Sequence, residues 1–277
     1  MNIQNWLECA KKKLKKISLS PNLDAEILLS YVLNKSRTWI IGYNFSVLTN
    51  YHMDKLNYLL GRRISGEPIA YLIKKKEFWS YSFLVTHNTL IPRLDTEILV
   101  ENALFYLESF KNAKILDLGT GCGCIAISLA IERPDCKITG IDYNFQSINV
   151  AKKNAKRFKV KNVRFLYSFW FSKINCVFDM IVCNPPYIGF HEIKDLRKEV
   201  LFEPLSALVS SKCGLESIIY IIKFSKKYLC SRGWLLVEHG WKQKNSVQKL
   251  FYKYNFINII TYQDYCGNDR ITVGQTY

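Results

Sequence analysis

The stretch "AKILDLGTGCGCIAISLA", residues 113–130, has the pattern of a buried strand, a glycine-rich turn and an apolar helix. Three glycines, Gly119, Gly121 and Gly123, separate the strand-like run from the helix-like run. Glycine allows a backbone to turn tightly and to approach a ligand without interference from a Cβ atom. The spacing is G-x-G-x-G and not the dinucleotide fingerprint G-x-G-x-x-G, so the turn by itself also fits an ordinary strand-to-helix connection.

The same alternation of strand-like and helix-like runs continues to the end of the chain. Strands are predicted in "AKILDLG", "CKITGID", "NVRFLY", "FDMIVCN" and "GWLLVEHG", and two more are predicted in residues 257–277. Helical runs separate most of them, which predicts an open α/β sheet. Ligands bind to such sheets beyond the carboxyl ends of the strands. We therefore expect the chemistry at residues 117–123, 142, 167–170, 184–187 and 238–240.

The second of these predicted strands ends in Asp142. It follows the glycine turn at close to the offset of about 20 residues that is expected for a ribose-binding carboxylate. A carboxylate can accept hydrogen bonds from both hydroxyls of a ribose. The turn and Asp142 together indicate a nucleoside-containing cofactor, and they fit either a nicotinamide dinucleotide or S-adenosylmethionine.

A later strand-like run ends in Asn184-Pro185-Pro186-Tyr187, which we call the NPPY segment. Two prolines cannot continue a β-ladder, because each lacks an N–H group and has a fixed φ. The strand must therefore end here, and a stiff segment then presents an amide and an aromatic ring.

The NPPY segment resembles the signature of S-adenosylmethionine-dependent methyltransferases that act on planar, conjugated nitrogen in bases or in glutamine amides. Such a nitrogen is a poor nucleophile, because its lone pair is delocalised. The side-chain oxygen of Asn184 and the carbonyl of Pro185 would accept its two N–H bonds and aim the lone pair at the methyl group. Tyr187 would pack on the flat face of the substrate. We predict Asn184, Pro185 and Tyr187 as catalytic residues and Asn184, Pro185, Pro186 and Tyr187 as substrate-binding residues.

The chain before residue 95 has a different pattern. Apolar residues recur at helical spacing in the first 72 residues, which predicts a small helical domain. Residues 73–94 are predicted to be a linker that contains a β-hairpin within Glu77–Arg93, and residues 95–277 to be the catalytic domain, with Asp95 as the N-cap of its first helix.

Composition limits the class of protein. The 277-residue chain has a formal net charge of +16, which favours acidic partners, but its lysines are spread over predicted exposed faces. Its nine cysteines have neither zinc nor disulfide-framework spacing, which predicts mostly buried reduced thiols, no metal site and a cytoplasmic location. There is no secretory signal and no apolar run of about 18 residues, so no membrane partner is predicted.

Over essentially its whole length the chain resembles bacterial peptide chain release factor glutamine methyltransferases, the family known as HemK or PrmC. The most specific part is "RRISGEPIAYLIKKKEFWSYSFLVTHNTLIPRLDTEILV", residues 62–100. The motifs "LDLGTGCGCIAISLA", "NPPYI", "EPLSAL", "GWLLVEHGWKQ" and "DYCGNDR" follow in the order that the family has. The glycine turn alone is shared by many methyltransferases.

This resemblance implies an α/β, Rossmann-like methyltransferase domain with a small N-terminal helical bundle that docks the protein substrate. It implies that S-adenosyl-L-methionine is the methyl donor and that Trp170 lies beside its adenine. The other residues implied to bind this cofactor are Gly119, Thr120, Gly121, Cys122, Gly123, Asp142 and Asn184. The acceptor would be the glutamine of the Gly-Gly-Gln loop of class 1 release factors. No obligatory nucleic acid is implied, and we expect a monomer.

Three positions depart from the family pattern. Leu94 stands where the family usually has proline, although Arg93 and Glu97 on either side are present. Cys122 replaces a small hydroxyl residue in a turn that should bind through its backbone. Phe169 replaces an acidic residue before Trp170, so the expected contact to the adenine amino group is either missing or supplied by the backbone.

Three other functions fit some of these features. A ribosomal-protein glutamine methyltransferase also carries the NPPY segment, but residues 62–100 favour the release-factor enzyme. A nucleic-acid adenine N6-methyltransferase fits the segment and the charge, but such an enzyme normally needs a target-recognition region, and no recognition motif is evident in the N-terminal helices. A catalytically inactive binding module is disfavoured, because the glycines, Asp142 and the NPPY segment are all present.

Overall fold

The computed structural model describes all 277 residues of the chain. They form two compact units, the first made of Met1–Lys75 and Arg197–Phe202 and the second of Lys76–Leu196 and Glu203–Tyr277. The sequence analysis assigned residues 197–202 to the catalytic domain. They belong to the first unit because Glu199 pairs with Arg63 at 3.0 Å and because Phe202 lies beside Gly66.

The first unit is helical. Its helices are α1 (Ile3–Leu14), α2 (Pro21–Leu33), α3 (Arg37–Gly42), α4 (Asn50–Ile64) and α5 (Ile69–Ile73). Helix α1 buries Ile3, Trp6, Ala10 and Leu14, which share one face at helical spacing. These side chains pack with apolar residues of α2 and α4 in a core of their own.

The second unit is built on a seven-stranded sheet of order β5-β4-β3-β6-β7-β9-β8. The strands are β3 (Lys114–Leu118), β4 (Lys137–Asp142), β5 (Val163–Tyr167), β6 (Phe178–Cys183), β7 (Leu229–Glu238), β8 (Ile257–Gln263) and β9 (Asp269–Gln275). Strands β3 to β7 are parallel, while β9 is antiparallel to β7 and to β8. This sheet confirms the predicted α/β class, and every strand predicted from residue 113 onward is present.

Helices connect the strands and cover the sheet. They are α6 (Glu97–Leu107), α7 (Cys124–Glu132), α8 (Phe145–Arg157), α9 (Leu205–Leu208), α10 (Ser211–Gly214), α11 (Glu216–Ser225) and α12 (Lys244–Lys253). Apolar residues of α11 and α12, such as Ile221 and Phe251, pack with the central strands in the main core. None of the helices in the chain has the length and apolar character that a membrane crossing requires.

The hairpin lies earlier than predicted. Its strands are β1 (Lys75–Phe78) and β2 (Tyr81–Leu84), and residues 85–93 form no strand. The turn falls at Trp79 and Ser80, whose φ values of 51° and 60° suit a two-residue hairpin of the kind that matches strand twist. The predicted cap is also displaced, because Asp95 lies in a 3₁₀ turn and Thr96 precedes α6.

All nine cysteines are unpaired. Cys122, Cys124, Cys136 and Cys183 are buried, while Cys213 and Cys266 are exposed and the other three are half-buried. The prediction of mostly buried thiols is therefore wrong, because five of the nine cysteines are exposed or half-buried. The buried ones lie on or beside the central strands, while Cys213 lies in the short helix α10 and Cys266 in the turn between β8 and β9.

Candidate active site

The register of the central strands brings the predicted site residues to one edge of the sheet. Leu118 of β3 lies level with Ile141 of β4 and Cys183 of β6. The next residues along the three strands are Gly119, Asp142 and Asn184, so they emerge side by side. The chain leaves β3 toward β4 on one side and returns to β6 on the other, which is the switch point where α/β sheets bind ligands.

A cleft opens at this point. Six of the predicted site residues line it, namely Gly119, Gly121, Asp142, Trp170, Asn184 and Pro186. Ser168, from the predicted stretch 167–170, also lines it. The remaining walls were not predicted as site residues; they are Asn88, Leu90, Ile141, Tyr143, Asn144, Ser147, Pro204, Ser206 and Ala207. Asn88 and Leu90 lie after the hairpin strands, within the stretch Glu77–Arg93 in which the sequence analysis predicted the hairpin.

The glycine turn has the conformation that its sequence requires. Gly119, Gly121 and Gly123 have φ values of 74°, 56° and 85°, in the left-handed region that favours glycine. The amides of Gly119 and Thr120 donate to the Ile141 carbonyl at 2.9 and 2.8 Å. The amide of Gly121 donates to Asp142 at 3.0 Å. The turn therefore offers a ligand close approach to its backbone, while the amides of Gly119, Thr120 and Gly121 are already paired within the protein.

Three residues of the turn point away from the cleft. Thr120 donates its hydroxyl to the Asp117 carboxylate at 2.6 Å. Cys122 is buried, and its carbonyl accepts a bond from Asn154 at 2.9 Å. A Cβ atom on Gly123 would stand 3.1 Å from Ala151. These three residues pack against the protein interior and support the turn on the side away from the cleft.

Asp142 links the turn to the loop after β4. Its carboxylate accepts from the amide of Gly121 at 3.0 Å and from the amide of Asn144 at 2.8 Å. Burial raises the pKa of Asp142, and these backbone donors oppose the rise. A carboxylate has about four lone-pair sites, so roughly two remain free to accept from the hydroxyls of a ribose.

Trp170 forms an aromatic wall of the cleft. A Cβ atom placed on Gly119 would lie 3.9 Å from its ring, so the space above the glycine turn faces the indole. The Trp170 backbone has a φ of 42°, and the Ser168 hydroxyl donates to its carbonyl at 2.9 Å. Phe169 is 60% exposed and does not line the cleft; its ring lies 6.4 Å from that of Tyr143 in an edge-on arrangement.

The NPPY segment leaves β6 with its asparagine anchored. Asn184 donates its side-chain NH₂ group to the Thr96 hydroxyl at 3.0 Å. Pro185 is buried, and Pro186 lines the cleft. With the nitrogen of the amide bonded to Thr96, the Oδ1 atom of Asn184 is the end of the side chain that is left to accept a bond from a substrate.

Tyr187 lies beside a second hollow, which we call the outer depression. The residues that line it are Tyr187, Ile188, His191, Glu192, Asp195, Leu196, Cys213, Gly240, Trp241, Lys242, Gln243 and Arg270. The Tyr187 carbonyl accepts from Gln243 at 3.0 Å, and a Cβ atom on Gly214 would overlap it at 2.0 Å. Only glycine fits at residue 214, and the end of the NPPY segment is therefore clamped.

The Tyr187 hydroxyl donates to Oε1 of Glu238 at 3.3 Å. Glu238 is 1% exposed, and this burial raises its pKa to about 7 against the effects of the Thr96 hydroxyl and the Arg270 guanidinium. Burial likewise raises the pKa of Tyr187. The sequence analysis placed Glu238 at the ligand edge of the sheet without giving it a role.

The segment "RLDTE", residues 93–97, connects the parts of the site. Arg93 pairs with Glu203, and Asp95 lies 3.4 Å from Arg270. Glu97 accepts from the Trp79 amide of the hairpin at 2.8 Å. Thr96, which contacts Asn184, was not predicted as a site residue, because the sequence analysis gave the residues before α6 only a capping role, through Asp95.

These features define the class of protein as an S-adenosylmethionine-type, Rossmann-like methyltransferase. Residues 94–210 match the family model of the methyltransferase small domain, and residues 5–73 match that of the PrmC N-terminal domain. A solved structure of a Thermus thermophilus 16S rRNA N2 G1207 methyltransferase in complex with AdoMet and guanosine has the same fold. Its TM-score is 0.53 at 16% identity, over 73% of this chain and 50% of that one.

Relatives that match over the full length of the chain identify the family within this class of methyltransferases. A release factor glutamine methyltransferase of Buchnera aphidicola subsp. Baizongia pistaciae is 65% identical over 99% of this chain and 99% of its own. The release factor glutamine methyltransferase of Escherichia coli strain K12 is 44% identical over 100% of both chains. The chain belongs to the release factor glutamine methyltransferase family, as its sequence motifs predict.

Proposed function

We propose that this chain transfers a methyl group from S-adenosyl-L-methionine to the side-chain amide nitrogen of a release-factor glutamine. The acceptor is the glutamine of the Gly-Gly-Gln motif of class 1 peptide chain release factors. The single observation that carries the proposal is the bond from Asn184 to Thr96 at 3.0 Å, since it leaves an amide oxygen facing the cleft as an acceptor. The full-length relatives named for this activity support the same acceptor.

The residues of the cleft fit this cofactor. Asp142 would accept from the ribose hydroxyls, and the Trp170 ring would lie beside the adenine. Gly119 and Gly121 leave space that a Cβ atom would fill, and the cleft continues to Asn184. When bound, S-adenosylmethionine supplies an electrophilic methyl group on a sulfonium. The contact that the family's acidic residue makes would be absent, because Phe169 lies outside the cleft.

The protein would act on the acceptor glutamine by holding its side-chain amide in the right orientation. Asn184 Oδ1 and the Pro185 carbonyl would accept the two N–H bonds of the glutamine amide and hold its lone pair in line for attack. Tyr187, clamped at the outer depression, would border the path by which the glutamine enters. The amide needs no strong base before attack, because its nitrogen becomes acidic only after methylation, and its proton then leaves to solvent.

Competition between acceptors tests this function. The enzyme is incubated with radiolabelled S-adenosylmethionine and one of three acceptors, a class 1 release factor, a ribosomal protein or DNA. We expect label on the release factor, and loss of that label when its Gly-Gly-Gln glutamine is replaced by alanine. Label on DNA alone, or on the ribosomal protein alone, contradicts the proposal.

The Asn184→Ala variant tests the role of the amide. We expect turnover to fall by roughly a hundredfold or more, because the acceptor nitrogen is no longer oriented. The dissociation constant of S-adenosylmethionine, measured by calorimetry, should change little. Asn245→Ala, at an exposed position on α12, is the control and should behave as the wild type. Wild-type turnover in Asn184→Ala would remove the mechanism.

The N-terminal unit would dock the release factor. It carries exposed apolar side chains on the loop after α3, with Tyr43 at 58%, Phe45 at 75% and Val47 at 78% exposure. The carbonyls of Asn44 and Ser46 accept from the first amides of α1 at 2.8 and 3.0 Å, so the loop is fixed to the helix. Exposed apolar residues on a fixed loop are typical of a protein-binding surface. We expect a monomer in the cytoplasm, where unpaired cysteines persist.

A further inference from the structure

Thr96 has an unusual position for an N-cap threonine. An N-cap hydroxyl ordinarily accepts a bond from an amide in the first turn of its own helix. Thr96 precedes α6, yet its side chain makes no such bond. It is 2% exposed, and its hydroxyl oxygen accepts from Asn184 Nδ2 at 3.0 Å. The hydroxyl is therefore used by the site and not by the helix.

Glu238 reaches both ends of the NPPY segment. Its Oε1 atom accepts from the Tyr187 hydroxyl at 3.3 Å. Its buried Oε2 atom has no hydrogen-bond partner in the structure, and the nearby Thr96 hydroxyl, which stabilises the charged form of Glu238, has a proton to offer it. One carboxylate at the end of β7 is thus bonded to Tyr187 and lies beside the hydroxyl that Asn184 contacts.

We propose that Thr96 and Glu238 form a positioning relay that sets which way the side-chain amide of Asn184 faces. The inference rests on the proposed function, in which Asn184 Oδ1 accepts from the glutamine amide. Neither residue touches the substrate; both act through Asn184.

The direction in which hydrogen bonds are donated along the relay follows from the chemistry of the Glu238 carboxylate. An ionised carboxylate can only accept hydrogen bonds, so in the proposed relay Thr96 donates its single proton to the unpartnered Oε2 atom of Glu238. The Thr96 oxygen can then only accept, and Asn184 must turn its NH₂ group toward it. The flipped amide would bring Oδ1 against an oxygen that has no proton to offer. The carboxylate thereby keeps Asn184 Oδ1 directed at the cleft.

Thr96→Val removes the hydroxyl and keeps the shape of the side chain. We expect kcat on the release factor to fall roughly tenfold or more, because misorientation of a positioning group is costly. The dissociation constant of S-adenosylmethionine should change little. Thr96→Ser, which restores the hydroxyl, should recover most of the lost kcat. The control is Thr276→Val, since Thr276 is also buried and hydrogen-bonded but lies beyond β9 beside Gly233, away from the ligand edge.

Glu238→Gln tests the direction of the relay in a second variant. A glutamine amide can donate to Thr96 as well as accept from it, so the direction is no longer imposed. The groups that act on Glu238 are Thr96, Tyr187, Arg270 and Asp95. Because the carboxyl group loses its own donor when it ionises, the direction is imposed only on the ionised form, and the wild-type kcat should rise with pH through about 7. The profile of Glu238→Gln should lack this rise and stay low.

Hydrogen exchange of the Asn184 side-chain NH₂ group tests the relay without any measurement of enzyme turnover. In asparagine-labelled enzyme, nuclear magnetic resonance should show slow hydrogen exchange of its NH₂ protons, and Thr96→Val should make that exchange faster. Equal exchange in both proteins, or wild-type kcat in a folded Thr96→Val, overturns the relay. Equal losses in Thr96→Ser and Thr96→Val also overturn it. A wild-type enzyme that leaves the release factor unlabelled overturns the proposed function instead, and the exchange measurement still decides the relay.

Discussion

Asp117 is a fully buried carboxylate directly beneath the glycine turn. It accepts from the Thr120 hydroxyl at 2.6 Å, and its Oδ1 atom has no partner. Burial raises its pKa from 3.8 to about 7, with the charge of Asp142 adding to the rise and the donors from Thr120 and Ala126 opposing it. The turn is thus built over an acid that the folded protein prefers to keep protonated.

Asp117→Asn should change how stability depends on pH. The folded state binds the Asp117 proton more tightly than the unfolded chain, so this acid stabilises the protein most at low pH. As the pH rises from about 4 to about 7, the wild type should lose on the order of 4 kcal/mol relative to the variant. Urea unfolding across this range measures the difference. Asp195→Asn, at an exposed position, should give a curve parallel to the wild type.

Sequence reasoning at this scale succeeded where the residue type limits the role. Glycines at positive φ and two prolines at a strand end have few other uses, so the glycine turn and the NPPY segment were predicted with their positions. It missed Thr96, because the same hydroxyl can cap a helix or bind a distant side chain. Which of the two occurs depends on β6 and β7, which lie far away in the sequence.

At the scale of secondary-structure elements, one buried ion pair links two helices of the first unit. Arg63 of α4 contacts Asp24 of α2 at 2.7 Å, and both residues are nearly inaccessible to solvent. Arg63 also donates to the Glu67 carbonyl at 3.1 Å and to Glu199 at 3.0 Å. One guanidinium therefore joins two helices and the segment 197–202. A patterned helix does not reveal such a partner, which is why the sequence analysis did not associate that segment with the helical unit.

Arg63→Ala should destabilise the first unit by roughly 3–5 kcal/mol, because Asp24 would be left buried without a counter-charge. Hydrogen exchange of the amides of α2 and α4 measures this locally. The matched control is Arg37→Ala, which breaks an exposed pair with Glu26 and should cost less than about 1 kcal/mol. Equal protection in the two variants would show that the buried pair is not what holds these helices.

At the scale of the whole molecule, the two units divide the proposed work. The α/β unit holds the cleft, and the helical unit presents the apolar loop of Tyr43, Phe45 and Val47. The overall class could be predicted because long strands and helices repeat their periods over many residues. The boundary of the hairpin could not, since its position depends on two left-handed residues, Trp79 and Ser80, that carry no glycine signal.

Replacing Tyr43, Phe45 and Val47 together by serine should weaken recognition of the release factor. We expect its KM to rise roughly tenfold, because a few apolar residues supply most of the energy of an interface. The kcat and the affinity for S-adenosylmethionine should stay near the wild-type values. Leu19→Ser, which removes an equally exposed side chain elsewhere in the unit, is the control. An unchanged KM in the triple variant would exclude this loop from docking.

The clamp on the NPPY segment has a consequence for how the enzyme comes into being. Tyr187 leaves the ribosome before Glu238 and Gln243, which hold it, and before β9, which flanks β7 in the sheet. A nascent chain that ends short of these elements has every motif of the glycine turn and the NPPY segment, but nothing to fix the tyrosine end of that segment. Methyl transfer should therefore begin only after residues 238–275 have been synthesised and have folded onto the sheet.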